Sequence, residues 1–344
     1  MLLGLWTQGS AAGAASDASE FINVERLSAR VMVAHWVGMD RWCNLTAIRT
    51  TKGLVVIDTE MSPRTMAPIK ELFEHAFGRS NWVYVISTHG HDTHAGGTSL
   101  FKGATVVGHD NLPEDMQWIV RRQTDPGWRS RDLGRAEQYM QTLEAGLPQV
   151  AARSAAEARL VRAEHKFWEL HCQDLREGYP VVKPSLTFSD RCTLDLGDVQ
   201  VHLVFYGKGH SSSDTLIYVP QERLLVTGGA VPRAHFPEIS ERSALDDVRR
   251  SLAVLNRFLA PGVQLDHVVP GHGLPLVKQD LALLRDYYQK MLAGVGAAQR
   301  EHLTLDQVQA RLAADRFPAL QEAPPGGTHE RNVRNLWRLL QDKQ

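Results

Sequence analysis

Residues 88–97 read Thr88-His89-Gly90-His91-Asp92-Thr93-His94-Ala95-Gly96-Gly97 and place three histidines within six positions. They follow the apolar run Trp82-Val83-Tyr84-Val85-Ile86, which predicts a β-strand. Histidine nitrogens are common ligands of Zn²⁺, and a His-x-His pair that leaves a strand can direct both rings at one ion. The stretch therefore predicts a metal site in a loop at the end of a strand.

Length and composition are those of an ordinary globular protein. The chain has 344 residues, of which 43% are hydrophobic and 22% charged, and its net charge is −1. This balance does not indicate a nucleic-acid surface, and no apolar run approaches the roughly 18 residues of a membrane-spanning helix. We therefore expect neither a nucleic-acid partner nor a membrane span. The oligomeric state stays open.

The cysteines and the N-terminus carry little functional signal. Cys43, Cys172 and Cys192 match neither a disulfide framework nor a Cys-x-x-Cys metal site, so we expect buried thiols. Residues 1–20 are interpreted as a leader, either disordered or the remnant of a secretory signal. The segment lacks a basic start, and its apolar part is shorter than the roughly 7–15 residues of a signal. A periplasmic or secreted location and a cytoplasmic one both stay open.

The first part of the chain alternates strands with a helix. Strands are predicted at Leu45–Ile48, Leu54–Ile57, Trp82–Ile86 and Ala104–Val107. A helix is predicted from Pro68 to Phe77, with the proline at its start. This β-α-β rhythm indicates a domain of layered sheets and helices.

The middle of the chain has the composition of a helical segment. Residues from Pro113 to about Tyr179 are rich in Ala, Arg, Glu and Leu, which predicts an insertion of two or three helices. We divide the chain into a main domain at 21–292, which includes this insertion at about 113–179, and a helical C-terminal extension at 293–344. Four aromatic residues of the insertion either line a cleft or pack in the core: Trp118, Trp128, Phe167 and Trp168.

Strands resume after the insertion, at 186–188, 192–194, 199–205, 215–219 and 224–226. An amphipathic helix is predicted from Ser243, with one apolar stripe formed by Leu245, Val248, Leu252, Leu255 and Leu259. The sequence from Thr304 to Gln307 predicts the capping box of a further helix.

Two more histidines stand where strands are predicted to end. His210 lies in Gly209-His210-Ser211, between two predicted strands, and His272 lies in Pro270-Gly271-His272-Gly273, after the short strand Val268-Val269. Strand-end loops of layered α/β proteins converge at one edge of the sheet, where sites are built. One loop histidine alone would indicate little, but five on three such loops indicate a metal centre.

These motifs together resemble the metallo-β-lactamase superfamily over roughly Phe21 to Met291. The family's strand ending in Asp resembles Val55-Val56-Ile57-Asp58, and its His-x-His-x-Asp-His-x-Gly-Gly loop resembles His89 to Gly97. Its Gly-His-Ser/Thr segment and its Pro-Gly-His-Gly turn resemble the two stretches around His210 and His272. Within the superfamily, the chain is most similar to the quinoprotein-associated zinc metallohydrolases and to class B β-lactamase-like proteins.

The resemblance implies a four-layer αββα sandwich with a metal site at the sheet edges. It implies that His89, His91 and His210 hold one Zn²⁺ with an open position for water. It implies that His94 and His272 serve a second ion. Asp58 would accept a hydrogen bond that orients a ligand ring, although capping of a turn is an equal alternative.

The sequence departs from the family pattern at the second ion. Thr93 stands where the family has a metal-bridging carboxylate, and Asp92 comes one residue early. The segment that often supplies an Asp or Cys reads Thr227-Gly228-Gly229-Ala230. His94 and His272 would then be neutral donors only, so we expect the first site to be filled and the second to be weak or empty.

The missing carboxylate leaves the catalytic base open. Asp92 and Asp58 are the catalytic candidates, although for Asp92 an exposed loop acid is the favoured alternative. The other candidates, each more often structural than catalytic, are Glu60, His109, His235 and Asp214.

The resemblance implies a zinc-dependent hydrolase of a small-molecule substrate, in which metal-bound water attacks an ester, lactone, thioester, amide or β-lactam-type carbonyl. The alternative is a catalytically degenerate member that binds a metal or a partner. A redox di-iron site is disfavoured because acidic bridging ligands are absent.

Overall fold

The computed structural model describes residues 18–38 and 43–341. Most of the predicted leader at 1–20 therefore lies outside the described residues. The strands are β1 Ile22–Arg26, β2 Val31–Trp36, β3 Leu45–Arg49, β4 Leu54–Ile57, β5 Trp82–Ile86, β6 Thr105–His109, β7 Leu186–Phe188, β8 Arg191–Asp195, β9 Gln200–Phe205, β10 Thr215–Val219, β11 Leu224–Gly228 and β12 His267–Pro270. The helices are α1 Pro63–Phe77, α2 Asp92–Ala95, α3 Leu112–Asp115, α4 Gln117–Thr124, α5 Pro126–Arg153, α6 Ala155–Glu177, α7 Leu245–Leu259, α8 Lys278–Arg300, α9 Leu305–Arg311 and α10 Thr328–Gln341.

The strands form two sheets. The seven-stranded sheet follows chain order from β1 to β7, antiparallel as far as β4 and parallel from β4 onward. The five-stranded sheet has the order β12-β11-β10-β9-β8, in which only the β11–β12 pair is parallel among the described strands. Parallel neighbours bring the carboxyl ends of their strands to a common edge.

The alternation of side chains along β4 shows how the layers stack. Val55 and Ile57 belong to the core between the two sheets, whereas Leu54 and Val56 pack with α1 on the outer face. Since successive strand residues point to opposite faces, a fully buried strand must be covered on both sides. The second sheet repeats this arrangement, with α7 and α8 outside. The predicted αββα sandwich is confirmed.

The first helix begins five residues earlier than predicted. It starts at Pro63 because Ser62 caps it in a capping box with Thr65, and Pro68 lies inside the helix rather than at its start. Proline is favoured in the first turn, and two prolines five residues apart gave two candidate starts. The amphipathic helix α7 is confirmed, since Leu245, Val248 and Leu255 are buried.

The insertion consists of two long helices, α5 and α6, and two short ones, α3 and α4. Phe167 of α6 is fully buried and packs edge-on against Trp36 at 5.3 Å, which fixes the insertion on the first sheet. At the other end of the chain, Val333 and Leu336 of α10 share one core cluster with α7 and α8. Within the described residues, no helix is both long and apolar enough to cross a membrane.

Candidate metal centre

Three histidine rings meet at the edge of the sheets. Nε2 of His89 lies 3.1 Å from Nδ1 of His91, and the His210 ring centroid lies 4.8 Å and 4.7 Å from those of His89 and His91. One nitrogen from each ring lies within 4.8 Å of the others. Nitrogens on a tetrahedral zinc at 2.0–2.1 Å are about 3.3 Å apart, so this donor set fits a zinc ion. The structure thus brings together the three residues predicted for the first site.

Contacts behind the rings fix which nitrogen faces the centre. Thr88 Oγ1 donates a hydrogen bond to Asp58 Oδ2 at 2.8 Å and lies 3.0 Å from His89 Nδ1. A hydroxyl has one proton, so Thr88 must accept from His89 Nδ1–H, which leaves the Nε2 lone pair free for a ligand bond. On the far side, Glu238 Oε1 lies 3.7 Å from His210 Nδ1.

Glycines make room for these rings. A Cβ at Gly229 would lie 2.3 Å from Cδ2 of His210, and one at Gly90 would lie 2.4 Å from Cβ of Asp115. A larger side chain at Gly229 would therefore displace a candidate ligand. The segment at which the family often places an acid or a thiol holds a glycine here, and His210 fills that space.

His94 and His272 form a second pair beside the first site. Asp58 Oδ2 lies 2.8 Å from His94 Nδ1, and this contact turns His94 Nε2 toward His272 Nε2 at 3.0 Å. The His94 and His89 ring centroids are 4.0 Å apart, so the two sites adjoin. Thr93 lies half-buried between Asp92 and His94 and brings no carboxylate.

Cys43 is a residue of this region that the sequence analysis did not single out. Its Sγ lies 3.2 Å from His94 Nδ1, and Cys43, Asp58 and His94 form a buried group whose ligand atoms lie within 4.8 Å of one another. Burial, with Asp58 and Glu60 nearby, raises the pKa of the thiol well above its usual value. Cys43 and Cys172 are buried as expected, whereas Cys192 is partly exposed. No local pattern around Cys43 signals the contact, because its partner lies 51 residues away.

Burial keeps His89 and His91 neutral. It lowers the pKa of His89 well below its ordinary value, and the neighbouring His94 adds to the effect. Burial, with His210 second, lowers the pKa of His91 to about 4. Burial also acts to lower the pKa of His210, but Glu238, Asp214 and Asp115 together outweigh it and raise that pKa. An unprotonated imidazole offers the lone pair that a metal requires, so His89 and His91 are prepared for a cation near neutral pH, whereas a metal ion would displace a proton from His210 more often.

Asp92 makes contacts that point away from the histidines. Its Oδ2 accepts a hydrogen bond from Arg122 Nη1 at 2.9 Å, and its Oδ1 accepts one from the Thr93 backbone N–H. Burial, the largest single influence, opposes ionisation of Asp92, but the charge and hydrogen bond of Arg122, with His171 and the Thr93 N–H, together outweigh it and lower the carboxyl pKa. Asp58 is likewise engaged, by Thr88 and His94.

Asp58 and Glu60 both have left-handed backbone, with φ of 65° and 59°. Such conformations in non-glycine residues cost about 1–3 kcal/mol and concentrate at functional sites. Glu60 is fully buried, and its Oε1 has no hydrogen-bond partner among the residues that the structure describes. Burial raises the Glu60 pKa well above its usual value, so this group is held as the neutral acid.

The other candidates lie outside the ligand set. Both ring nitrogens of His109 are engaged, by Ser189 O and the Asn111 N–H, and His235 contacts Arg233 O. Asp214 accepts hydrogen bonds from Ser211, and burial raises its pKa to about 6.

A cavity of about 310 Å³ opens beside His91 and His210. Its wall includes Trp118, which is 50% exposed, and the carboxylates Asp115 and Glu238. The Asp115 oxygens accept hydrogen bonds from Ser212 and Ser213, whereas Glu238 lies at the surface. Of the four aromatic residues considered, Trp118 lines the cleft and Phe167 lies in the core. The sequence did not indicate Asp115 or Glu238, since neither belongs to a recognisable motif.

Comparison with known proteins agrees with this geometry. The sequence profile of the metallo-β-lactamase superfamily matches residues 40–272, well over half of the chain. The chain belongs to the metallo-β-lactamase superfamily. A search of curated proteins found no match.

Solved structures with the same fold are distant in sequence. A metallo-β-lactamase from Pontibacter korlensis is 16% identical over 78% of this chain and 99% of its own, with a TM-score of 0.51. The stereoselective inverting sec-alkylsulfatase Pisa1 from a Pseudomonas species is 19% identical over 92% of this chain, with a TM-score of 0.61. A double mutant of that sulfatase gives a TM-score of 0.60. The chain matches about half the length of the sulfatase, and at these identities the likeness shows the fold alone.

Proposed function

We propose that this protein is a zinc-dependent hydrolase whose ion is held by His89, His91 and His210. The single observation that carries the proposal is the convergence of three imidazole rings, one buried and two half-buried, beside an open cavity of about 310 Å³. A zinc ion in such a site supplies acidified water and polarises a substrate carbonyl or a similar electrophile. The substrate class proposed is an ester, lactone, thioester, amide or β-lactam-type compound.

The protein's own residues have distinct tasks in this proposal. Asp58 acts through Thr88 on His89 and directly on His94, so it positions ligands rather than taking a proton from substrate. Glu238 steadies His210 from the surface side. Asp92 was the other catalytic candidate, and its ion pair with Arg122 favours a positioning role.

One ion per chain is the stoichiometry we propose. On the side that faces the first site, His94 and His272 offer two neutral nitrogens at 3.0 Å. A dication bound there would lack an anionic ligand, because the nearby carboxylate of Asp92 pairs with Arg122 instead. The Cys43 thiol and the Asp58 carboxylate lie on the other edge of the His94 ring, at Nδ1.

The experiment combines metal analysis with turnover. Purified protein, loaded with Zn²⁺ and dialysed, should retain one ion and hydrolyse at least one substrate in a panel of chromogenic carboxyl esters, a thioester, a lactone, a cephalosporin and, in view of the sulfatase fold neighbour, an alkyl sulfate. His89→Ala should lose both the ion and turnover, whereas His75→Ala, at an exposed position of α1, should lose neither.

The rival function is a degenerate member of the fold that binds a metal or a partner. Tight zinc binding without turnover on any of these substrates would favour that rival. Failure to retain zinc at all would overturn the proposed site itself.

A further inference from the structure

The helical insertion is tied to the histidine loop by one arginine. Arg122 of α4 donates from Nη1 to Asp92 Oδ2 at 2.9 Å and from Nε to Asp132 Oδ2 of α5 at 2.6 Å. The three side chains are largely buried, with 16%, 27% and 20% of their surface exposed. Two carboxylates on one buried guanidinium make a charge-assisted contact of fixed geometry.

This contact lies directly behind the candidate ligands. Asp92 follows His91 and opens the short helix α2, which carries His94. The Asp92 carbonyl accepts the Gly96 N–H, and a Cβ at Gly96 would lie 2.0 Å from Met61 O, so the loop has little room to move. Anchoring Asp92 therefore fixes the backbone between the candidate ligand His91 and its neighbour His94.

The surroundings of Arg122 reinforce the anchor. Tyr179, which follows α6, interacts with Arg122 and donates from its hydroxyl to Met61 O at 3.2 Å. His171 of α6 lies in the same charged surroundings, and burial, with Arg122 second, lowers its pKa to about 4. The titratable groups around the guanidinium are therefore two carboxylates, a phenol and a neutral imidazole.

The same helix also reaches the cavity. Gln117 and Trp118, at the start of α4, line the cleft beside His91 and His210. Arg122 lies one turn further along α4, so a rigid segment connects the cavity wall to the metal loop. Asp92 is the only acid in residues 88–97, and a protein cation neutralises it instead of a second metal ion.

We propose that Arg122 is a positioning residue that sets the affinity of the His89/His91/His210 site for its ion by holding the loop through Asp92. The inference rests on the proposed zinc site. The insertion thereby contributes to metal binding although it supplies no ligand. Contacts behind metal ligands typically change metal affinity 10- to 100-fold when they are removed.

The test measures the affinity of folded variants for Zn²⁺ alone, by competition with a chelator. Arg122→Met should bind zinc at least about 10-fold more weakly than the unaltered protein. Arg122→Lys keeps the charge but loses the planar guanidinium that contacts both carboxylates, and its zinc affinity should be intermediate. The matched control is Arg121→Met on the same helix, since Arg121 is 53% exposed and its nearest carboxylate lies 3.9 Å away. That control should bind zinc normally.

Arg122→Met leaves two carboxylates without their partner and can fail to fold. The double variant Arg122→Met with Asp92→Asn also removes the unpaired charge of the loop, so zinc affinity can be measured in it if the single variant does not fold. The double variant should bind zinc as weakly as Arg122→Met alone or Asp92→Asn alone, because both substitutions break the same contact between Arg122 and Asp92. A purely structural role would lower the melting temperature of the metal-free protein and leave zinc affinity within about twofold of normal, and that result would overturn the inference. Absence of zinc binding by the unaltered protein would instead refute the proposed function.

Discussion

Asp58 Oδ2 lies 2.8 Å from His94 Nδ1 and also accepts a hydrogen bond from Thr88 Oγ1, so one carboxylate oxygen serves both adjoining sites. Asp58 takes this position from the end of β4 with left-handed backbone. A charge at this point selects the Nδ1–H tautomer of His94 directly and that of His89 through Thr88.

Asp58→Asn should therefore weaken zinc binding at the first site about 10- to 100-fold. The amide nitrogen cannot accept from Thr88 or His94, so the tautomers that free each Nε2 lose their support. Isothermal calorimetry with Zn²⁺ measures the effect, with Asp306→Asn, at an exposed position of α9, as the control. Equal affinities would show that Asp58 only caps the strand end.

Thr88→Val should have a smaller effect of the same kind. It removes the hydroxyl that links Asp58 to His89 but leaves the contact between Asp58 and His94 intact. We expect zinc affinity to fall by about 10-fold. The control is Thr142→Val on the exposed face of α5, where the hydroxyl contacts Gln138 O. A larger loss of zinc affinity for Thr88→Val than for Asp58→Asn would contradict the inference that Asp58 acts on His89 through Thr88.

Gly229→Ala should weaken the first site by displacing His210. The added Cβ would lie 2.5 Å from His210 Nε2, the nitrogen that faces the centre. Zinc retention after dialysis measures the result, which should fall below one ion per chain. Gly146→Ala in α5 meets open space and should instead stabilise the fold by about 0.5–1 kcal/mol in urea unfolding. Full zinc retention by Gly229→Ala would mean that His210 is not a ligand.

Thr93→Asp should create a second ion site. The carboxylate would stand in the family position beside His94, whose Nε2 already faces His272. We expect metal analysis to rise from one toward two zinc ions per chain, since an anionic ligand joins two neutral ones. Thr93→Asn, which has the same shape without the charge, should stay at one ion. Two zinc ions per chain in the unaltered protein would refute the proposal of a single ion.

Metal-free protein should lose stability in mild acid. Burial lowers the pKa of His91 from 6.5 to about 4, and it also lowers the pKa of His89 well below its ordinary value. The unfolded chain binds protons at these residues below pH 6.5, whereas the folded chain does not, so the unfolding free energy falls as the pH drops from about 6.5 toward 4. Urea unfolding at several pH values measures this slope, and His91→Gln should reduce it. If His91→Gln left the pH dependence of the unfolding free energy unchanged, His91 would be in contact with water rather than buried.

The candidate metal ligands could be recognised in the sequence because their signals are local. A strand pattern followed by His-x-His-x-x-His fixes three rings within six residues, and turn motifs mark His210 and His272. The apolar stripe from Leu245 to Leu259 likewise predicted the buried face of α7. These features depend on spacing along the chain, which the period of a strand or helix converts into a face.

The groups that hold those ligands in place could not be predicted in the same way. Cys43 meets His94 across 51 residues, and Arg122 meets Asp92 across 30. Asp115 meets Ser212 across 97 residues. A residue's charge or thiol is visible in the sequence, but its partner is chosen by how the insertion and the two sheets pack. Spacing along the chain therefore identified the donors of a metal, whereas packing set which acid stays with an arginine and which orients a histidine.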